Sequence, residues 1–327
     1  MDFSASLEAI SYLIRRQGLV YLALITLSVA VIADEPDDSK DILFVISKAS
    51  AAYTQVVDTV KDQVQLNGGE HTFSMIVQDE SAAIDRAIKT ADLIMTVGAG
   101  AADAVMKRQP SQPLVAALIT DSAFSSLASK YFGSKDAAFD AGVSVVCLDQ
   151  PVRRSIALVR LLMPEAAKVG LMVGPASKAR SDEFSDQIKA SGMQPNLVSI
   201  KATDNPITTI EPVLKASDIF IAVPDSRLIN VATARWILQL SYRHKVPVIA
   251  YSKTYLNAGA LAAIYSSPEN VGMQAAELIL SNDTLSAETG GVHLPYYFSV
   301  QFNASVAAHL NIRLKNKQFY LDQLRGD

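Results

Sequence analysis

The sequence predicts an α/β protein built as two lobes, each around a parallel sheet. Short apolar runs rich in β-branched residues alternate with longer segments of helical period, the pattern of strands covered by helices on both faces. That alternation runs over about residues 41–120 and restarts over 168–251. A length of 327 residues gives room for two domains of ordinary size, each with its own core.

The first run opens with a buried strand at Asp41–Ile46. A helix over 51–66 follows, with Tyr53, Val56, Val57, Val60 and Val64 on one face. Thr72–Val77 reads as a strand, 82–90 as a helix, Leu93–Val97 as a strand stopping at Gly98, and 113–119 as another strand. After an irregular stretch come a strand over 143–148 and a helix over Val152–Leu162, which ends before Pro164. The second run reads as strands at 169–173, 196–200, 218–223 and 247–251, alternating with helices at 178–190, 207–216 and 229–243. Later come a strand-like run at 258–266, a helix at 270–280, a polar connector at 281–291 and an alternating strand at 298–302 leading into a helix.

Composition narrows the function. The chain is 50% hydrophobic, 19% charged and 7% aromatic, which is globular. Its net charge of −4 provides no basic excess to neutralise phosphates, so no nucleic-acid partner is expected. Arg15 and Arg16 precede an uncharged apolar run over 19–33 that ends in Val31-Ile32-Ala33 and meets Asp34-Glu35. That reads as a signal peptide cleaved after Ala33, with export to the periplasm, the alternative being a retained membrane anchor. The one cysteine, Cys147, sits in an apolar strand and is expected to be a core residue, not a nucleophile.

In parallel α/β sheets ligands meet the loops at the carboxyl ends of strands. In the first lobe that rule selects Ser47 and Tyr53, then Gly98 and Gly100, then Thr120 and Asp121; in the second it selects Ser177, then Asp225 and Ser226, then Tyr251 and Ser252. Asp225 or Asp121 could hold a cationic amine, and Tyr53 or Tyr251 could stack on a ring. The competing role for Ser, Thr and Asp at these places is helix capping. Gly98-Ala99-Gly100 follows a strand and opens a helix, but Asp103 stands where a dinucleotide fingerprint has its last glycine. Close backbone approach to a ligand is the better use of these glycines. No cofactor, metal site or catalytic constellation is expected. His71, His244, His293 and His309 are scattered, and the metalloprotease, nucleophile-elbow and P-loop motifs are absent.

Four segments in order carry a resemblance. Leu161-Leu162-Met163-Pro164 leads to Val169-Gly170, and Pro247-Val248-Ile249-Ala250-Tyr251 leads to Tyr255 and Gly259-Ala260-Leu261-Ala262. Gly272-Met273-Gln274-Ala275-Ala276-Glu277 and Val300-Gln301-Phe302-Asn303-Ala304 follow. Together they resemble the uncharacterised substrate-binding proteins of ABC transporters. The resemblance implies a type 1 periplasmic-binding-protein architecture of two Rossmann-like lobes joined by three crossovers. Lobe one would be 34–144 plus 253–290, and lobe two 145–252 plus 291–327. It also implies delivery of a small organic solute, often amino-acid-like, to an ABC permease; a non-enzymatic monomer is expected. Two other readings stand beside it: a ligand-sensing protein that signals to a membrane sensor, and an α/β hydrolase or transferase.

Overall fold

The structure, a computed structural model, describes residues 39–68, 70–201, 203–225, 230–281 and 290–325. The export segment expected at 1–33 and the candidate Ser226 lie outside the described residues.

The chain builds β1 (Asp41–Ile46), α1 (Ala51–Gly68), β2 (Thr72–Val77), α2 (Ser81–Ala87), β3 (Leu93–Val97), α3 (Ala99–Met106), β4 (Leu114–Ile119), α4 (Asp121–Phe132), α5 (Lys135–Asp140) and β5 (Val143–Cys147). It continues with α6 (Val152–Leu162), β6 (Lys168–Val173), α7 (Ser181–Ala190), β7 (Gln194–Ser199), α8 (Pro206–Lys215), β8 (Ile219–Ile221), α9 (Val231–His244), β9 (Val248–Ala250), α10 (Lys253–Asn257) and β10 (Ala262–Tyr265). The last elements are α11 (Pro268–Leu280), β11 (Val292–His293), β12 (Ser299–Phe302), α12 (Ala304–His309) and α13 (Lys317–Arg325). One sheet has the order β11-β5-β4-β3-β1-β2 with every pair parallel; the other has the order β12-β10-β9-β8-β6-β7, with only β12 antiparallel.

The pleat explains why the inner strands are largely apolar. Along β1, Ile42, Phe44 and Ile46 pack with Val56, Val57 and Val60 of α1 and with Val271 and Ala275 of α11. Leu43 and Val45 point the other way, onto Ile84, Ala101, Val105 and Phe124. The second sheet repeats the arrangement: Leu171 and Ile219 lie against Ile156 and Phe184, while Met172 and Phe220 face Ile210, Leu214 and Ile237.

Three differences from the sequence reading have physical causes. The stretch read as irregular contains α4 and α5. Thr120 and Ser134 cap them, accepting the N–H groups of Ala123 at 3.3 Å and Ala137 at 3.0 Å. Ser125 and Ser126 of α4 donate their hydroxyls to the carbonyls of Asp121 and Ser122 one turn back, so these polar groups are satisfied within the helix. Residues 253–265, expected in lobe one, belong to the second sheet, because β10 pairs with β9 on one side and β12 on the other. Residues 292–293, expected in lobe two, extend the first sheet beside β5.

The chain therefore passes between the sheets before α6, before α11 and after β11, and side chains tie the three passages together. Arg154 is buried, with its guanidinium 3.8 Å from the centre of the Phe298 ring. Its Nη1 donates to Gln150 Oε1 at 2.6 Å and to the Pro295 carbonyl at 3.0 Å. Gln150 Nε2 donates to Ser266 Oγ at 3.0 Å, and Ser266 donates to the Tyr297 carbonyl at 3.1 Å. Burial, with Arg153 close by, pulls the Arg154 pKa down to about 10, so the side chain remains a cation at neutral pH.

Asn303 anchors the end of the second sheet. Its Oδ1 accepts the Val306 N–H at 3.1 Å, capping α12, and its Nδ2 donates to the Leu256 carbonyl at 2.9 Å. Asn303→Ala should destabilise the protein by about 1–2 kcal/mol, the worth of a helix cap and one further hydrogen bond. Urea unfolding followed by circular dichroism measures it, and an unchanged midpoint would remove the cap from the account.

Candidate functional site

The carboxyl ends of the strands of the two sheets face a hollow of about 370 Å³. Lobe one contributes the first turn of α4, with Asp121, Ser122 and Ser125; lobe two contributes Pro175, Ser177, Arg180 and Pro224. Asp149, in the first passage between the lobes, completes the wall. A bulge in β4 shapes this end of lobe one: the register shifts between Ala117 and Ile119, and Leu118 takes φ 55°. A left-handed backbone at a branched residue costs of order 1–3 kcal/mol and is held by its surroundings.

The charges in the hollow are arranged by local bonds. Asp149 Oδ2 accepts the N–H of Asp121 at 2.6 Å, and its Oδ1 lies 3.5 Å from Arg180 Nη1. Burial pushes the Asp149 carboxyl up, opposed by that N–H and by the Arg180 charge. Asp121 pairs with Lys135 at 2.6 Å. Arg180 is held by Glu183 through Nε at 2.9 Å and Nη2 at 3.4 Å. The Asp149–Arg180 pair also borders a smaller hollow of about 30 Å³ against Tyr251, Val223 and Ile264.

Of the residues selected from the sequence, Asp121 and Ser177 line the hollow between the lobes. Thr120 stands just behind it as the α4 cap. Ser47, Tyr53, Gly98 and Gly100 form a separate group in lobe one. Ser47 Oγ accepts the Ala101 N–H at 2.8 Å. A Cβ on Gly98, which has φ +93°, would lie 2.5 Å from the Tyr53 ring, and one on Gly100 would strike Gln78 Oε1. The glycines expected to admit a ligand thus admit the protein's own side chains. Tyr251 shares a hydroxyl contact of 3.1 Å with Tyr255. Ser252 lies with both tyrosines on a third hollow of about 500 Å³, beside Asn230 and Arg235.

Asp225, proposed from the sequence as a partner for an amine, is drawn into the framework. It is 3% exposed, and its Oδ2 accepts from Ala176 N at 3.0 Å, Ser177 N at 2.9 Å and Ser177 Oγ at 2.8 Å. It shapes the wall of the hollow by fixing the loop after β6. Asp149 and Arg180 were not selected. Asp149 obeys the same strand-end rule, two residues beyond β5, but the rule was not extended to that strand. Arg180 sits in a 3₁₀ turn, Lys178–Arg180, inside the segment read as helix.

Asp225→Ala would leave buried donors of the 174–177 loop without their acceptor. It should destabilise the protein by about 2–4 kcal/mol, read as a fall in melting temperature. A melting temperature equal to wild type would mean that the loop holds without Asp225.

The comparisons with known proteins agree with this geometry. The sequence profile described as ABC transporter substrate binding protein matches residues 47–285. A tyrosine-binding protein of Clostridioides difficile (strain R20291) is 23% identical over 192 residues, covering 58% of this chain and 54% of that protein. The chain thus spans about half the length of the curated relative it matches. Among solved structures, the ligand-free, open form of a substrate binding protein with adhesive properties from Clostridium difficile is 16% identical with a TM-score of 0.65, covering 85% of this chain and 97% of that one. An ABC domain in complex with L-Trp from Streptococcus pneumonia is 15% identical with a TM-score of 0.57, covering 87% of this chain and 98% of that one. With two parallel-stranded lobes, three passages between them and a profile match over most of its length, the chain belongs to the ABC transporter substrate-binding protein family, on the type 1 periplasmic-binding fold.

Proposed function

We propose that the protein is exported, captures a small amino-acid-like solute between its lobes and presents the closed form to an ABC permease. The observation that carries the reading is the hollow of about 370 Å³, walled by both lobes and lined by serines and by charges of both signs. Ligand pockets of roughly 300–1,000 Å³ suit single small molecules, and this one is at the small end. Walls from two lobes mean that a ligand touching both favours closure by the difference in its affinity for the two states. The amino-acid class is supported by the relative named for tyrosine binding and by the L-Trp complex of a structural neighbour. The reading is one of binding and release, without a catalytic step.

Thermal-shift titration of the full chain against L-amino acids, sugars, nucleosides and small carboxylates tests it. One class should raise the melting temperature in a dose-dependent way, with about 2.7 kcal/mol of stabilisation at a hundredfold excess over Kd. A folded protein that responds to none of them would overturn solute capture.

A further inference from the structure

The Asp149–Arg180 pair is built unlike an ordinary structural ion pair. Arg180 is oriented from outside the cleft: Glu183 holds Nε and Nη2, and the guanidinium carbon lies 5.2 Å from the centre of the Phe184 ring. Nη1 is left to Asp149, and both residues line the hollow. Nη1 meets Asp149 Oδ1 at 3.5 Å, well beyond the roughly 2.7–2.9 Å of a charge-assisted hydrogen bond. Asp149 is 7% exposed, and its other oxygen is engaged by the Asp121 N–H of lobe one. Two buried or half-buried opposite charges therefore face each other across a gap too long for a good bond. Such a pair recovers only part of its desolvation cost. The neighbouring Asp121 is matched separately by Lys135.

We propose that this pair is the recognition element for a zwitterion. The ligand's carboxylate takes the Nη1 edge of Arg180, its ammonium takes Asp149, and the protein's own two charges part to admit them. One imperfect ion pair is exchanged for two close ones with no change of net charge in the cleft. Arg180 belongs to lobe two, while Asp149 is bonded to lobe one, so a ligand held by both spans the lobes. This assignment rests on the reading that the cleft takes a solute, and it names the chemistry of that solute.

The test is calorimetric titration of the full chain with the twenty proteinogenic L-amino acids, D-ribose and myo-inositol. Any amino acid that binds is followed by its decarboxylated amine and its des-amino acid. At least one amino acid should bind, and each single-charge analogue should bind more than about tenfold more weakly, as expected for a lost hydrogen bond to a charged group. Asp149→Asn should weaken the amino acid but not the des-amino acid; Arg180→Gln should weaken the amino acid but not the amine. If either variant fails to fold, the analogue series on the wild-type chain decides. Binding of a neutral sugar alone, or an amino acid bound equally by its analogues and by both variants, would overturn the assignment and leave solute capture standing. Binding of none of these compounds overturns the assignment as well; solute capture falls only if the wider thermal-shift panel is also silent.

Discussion

The molecule depends on a seam. One chain builds two separate sheets and, among the described residues, passes between them three times, and the polar backbone of each passage needs hydrogen-bond partners. Arg154 meets that need. Its guanidinium lies on the Phe298 ring and donates to Gln150 in the first passage and to the Pro295 carbonyl in the third. Ser266, in the second passage, links Gln150 to the Tyr297 carbonyl. An arginine suits this position because its planar fork serves several acceptors from one fixed geometry while its face rests on an aromatic ring. From the lobe-one side, Gln274 of α11 clamps the third passage, donating to the Leu294 carbonyl at 2.8 Å and accepting from the Tyr296 N–H at 2.9 Å. These bonds gather the connections into one strip between two separately packed lobes.

The site follows from the seam. Residues at the strand ends of both sheets line one cleft, and Asp149, in the first passage, is part of its wall. Its two oxygens serve different lobes, which makes it the point where lobe position and cleft electrostatics meet. The bulge at Leu118 and the Asp225 anchor of the loop after β6 set the opposite rims. Local strain at Leu118 and a buried carboxylate at Asp225 are both features whose cost is offset by rigid framing of a hollow.

Most of the framework was legible because strands buried on both faces must be apolar throughout. Asp41–Ile46 and Leu93–Val97 could be bounded from that alone. What could not be read depends on contacts between distant residues. Gly98 and Gly100 suggested a ligand's approach, whereas Tyr53 and Gln78 occupy that space. Asp225 carried a charge at the right strand end, yet its Oδ2 is taken by Ala176 and Ser177 of its own lobe. Helix α4 was hidden by serines that satisfy themselves along the helix. The seam joins residues more than a hundred positions apart, and no local pattern marks such a set. Asp149 stands two residues beyond β5, a strand end to which the same rule applies.

The central claim is capture by closure of two lobes about that seam. Paired spin labels on cysteines placed at Ser129 of lobe one and Asp182 of lobe two, both exposed, measure it directly, because the native Cys147 is fully buried and its thiol is pushed up by burial. Saturation with a bound solute should shorten the interlobe distance and narrow its distribution. A distance that stays the same while the solute binds would contradict the account.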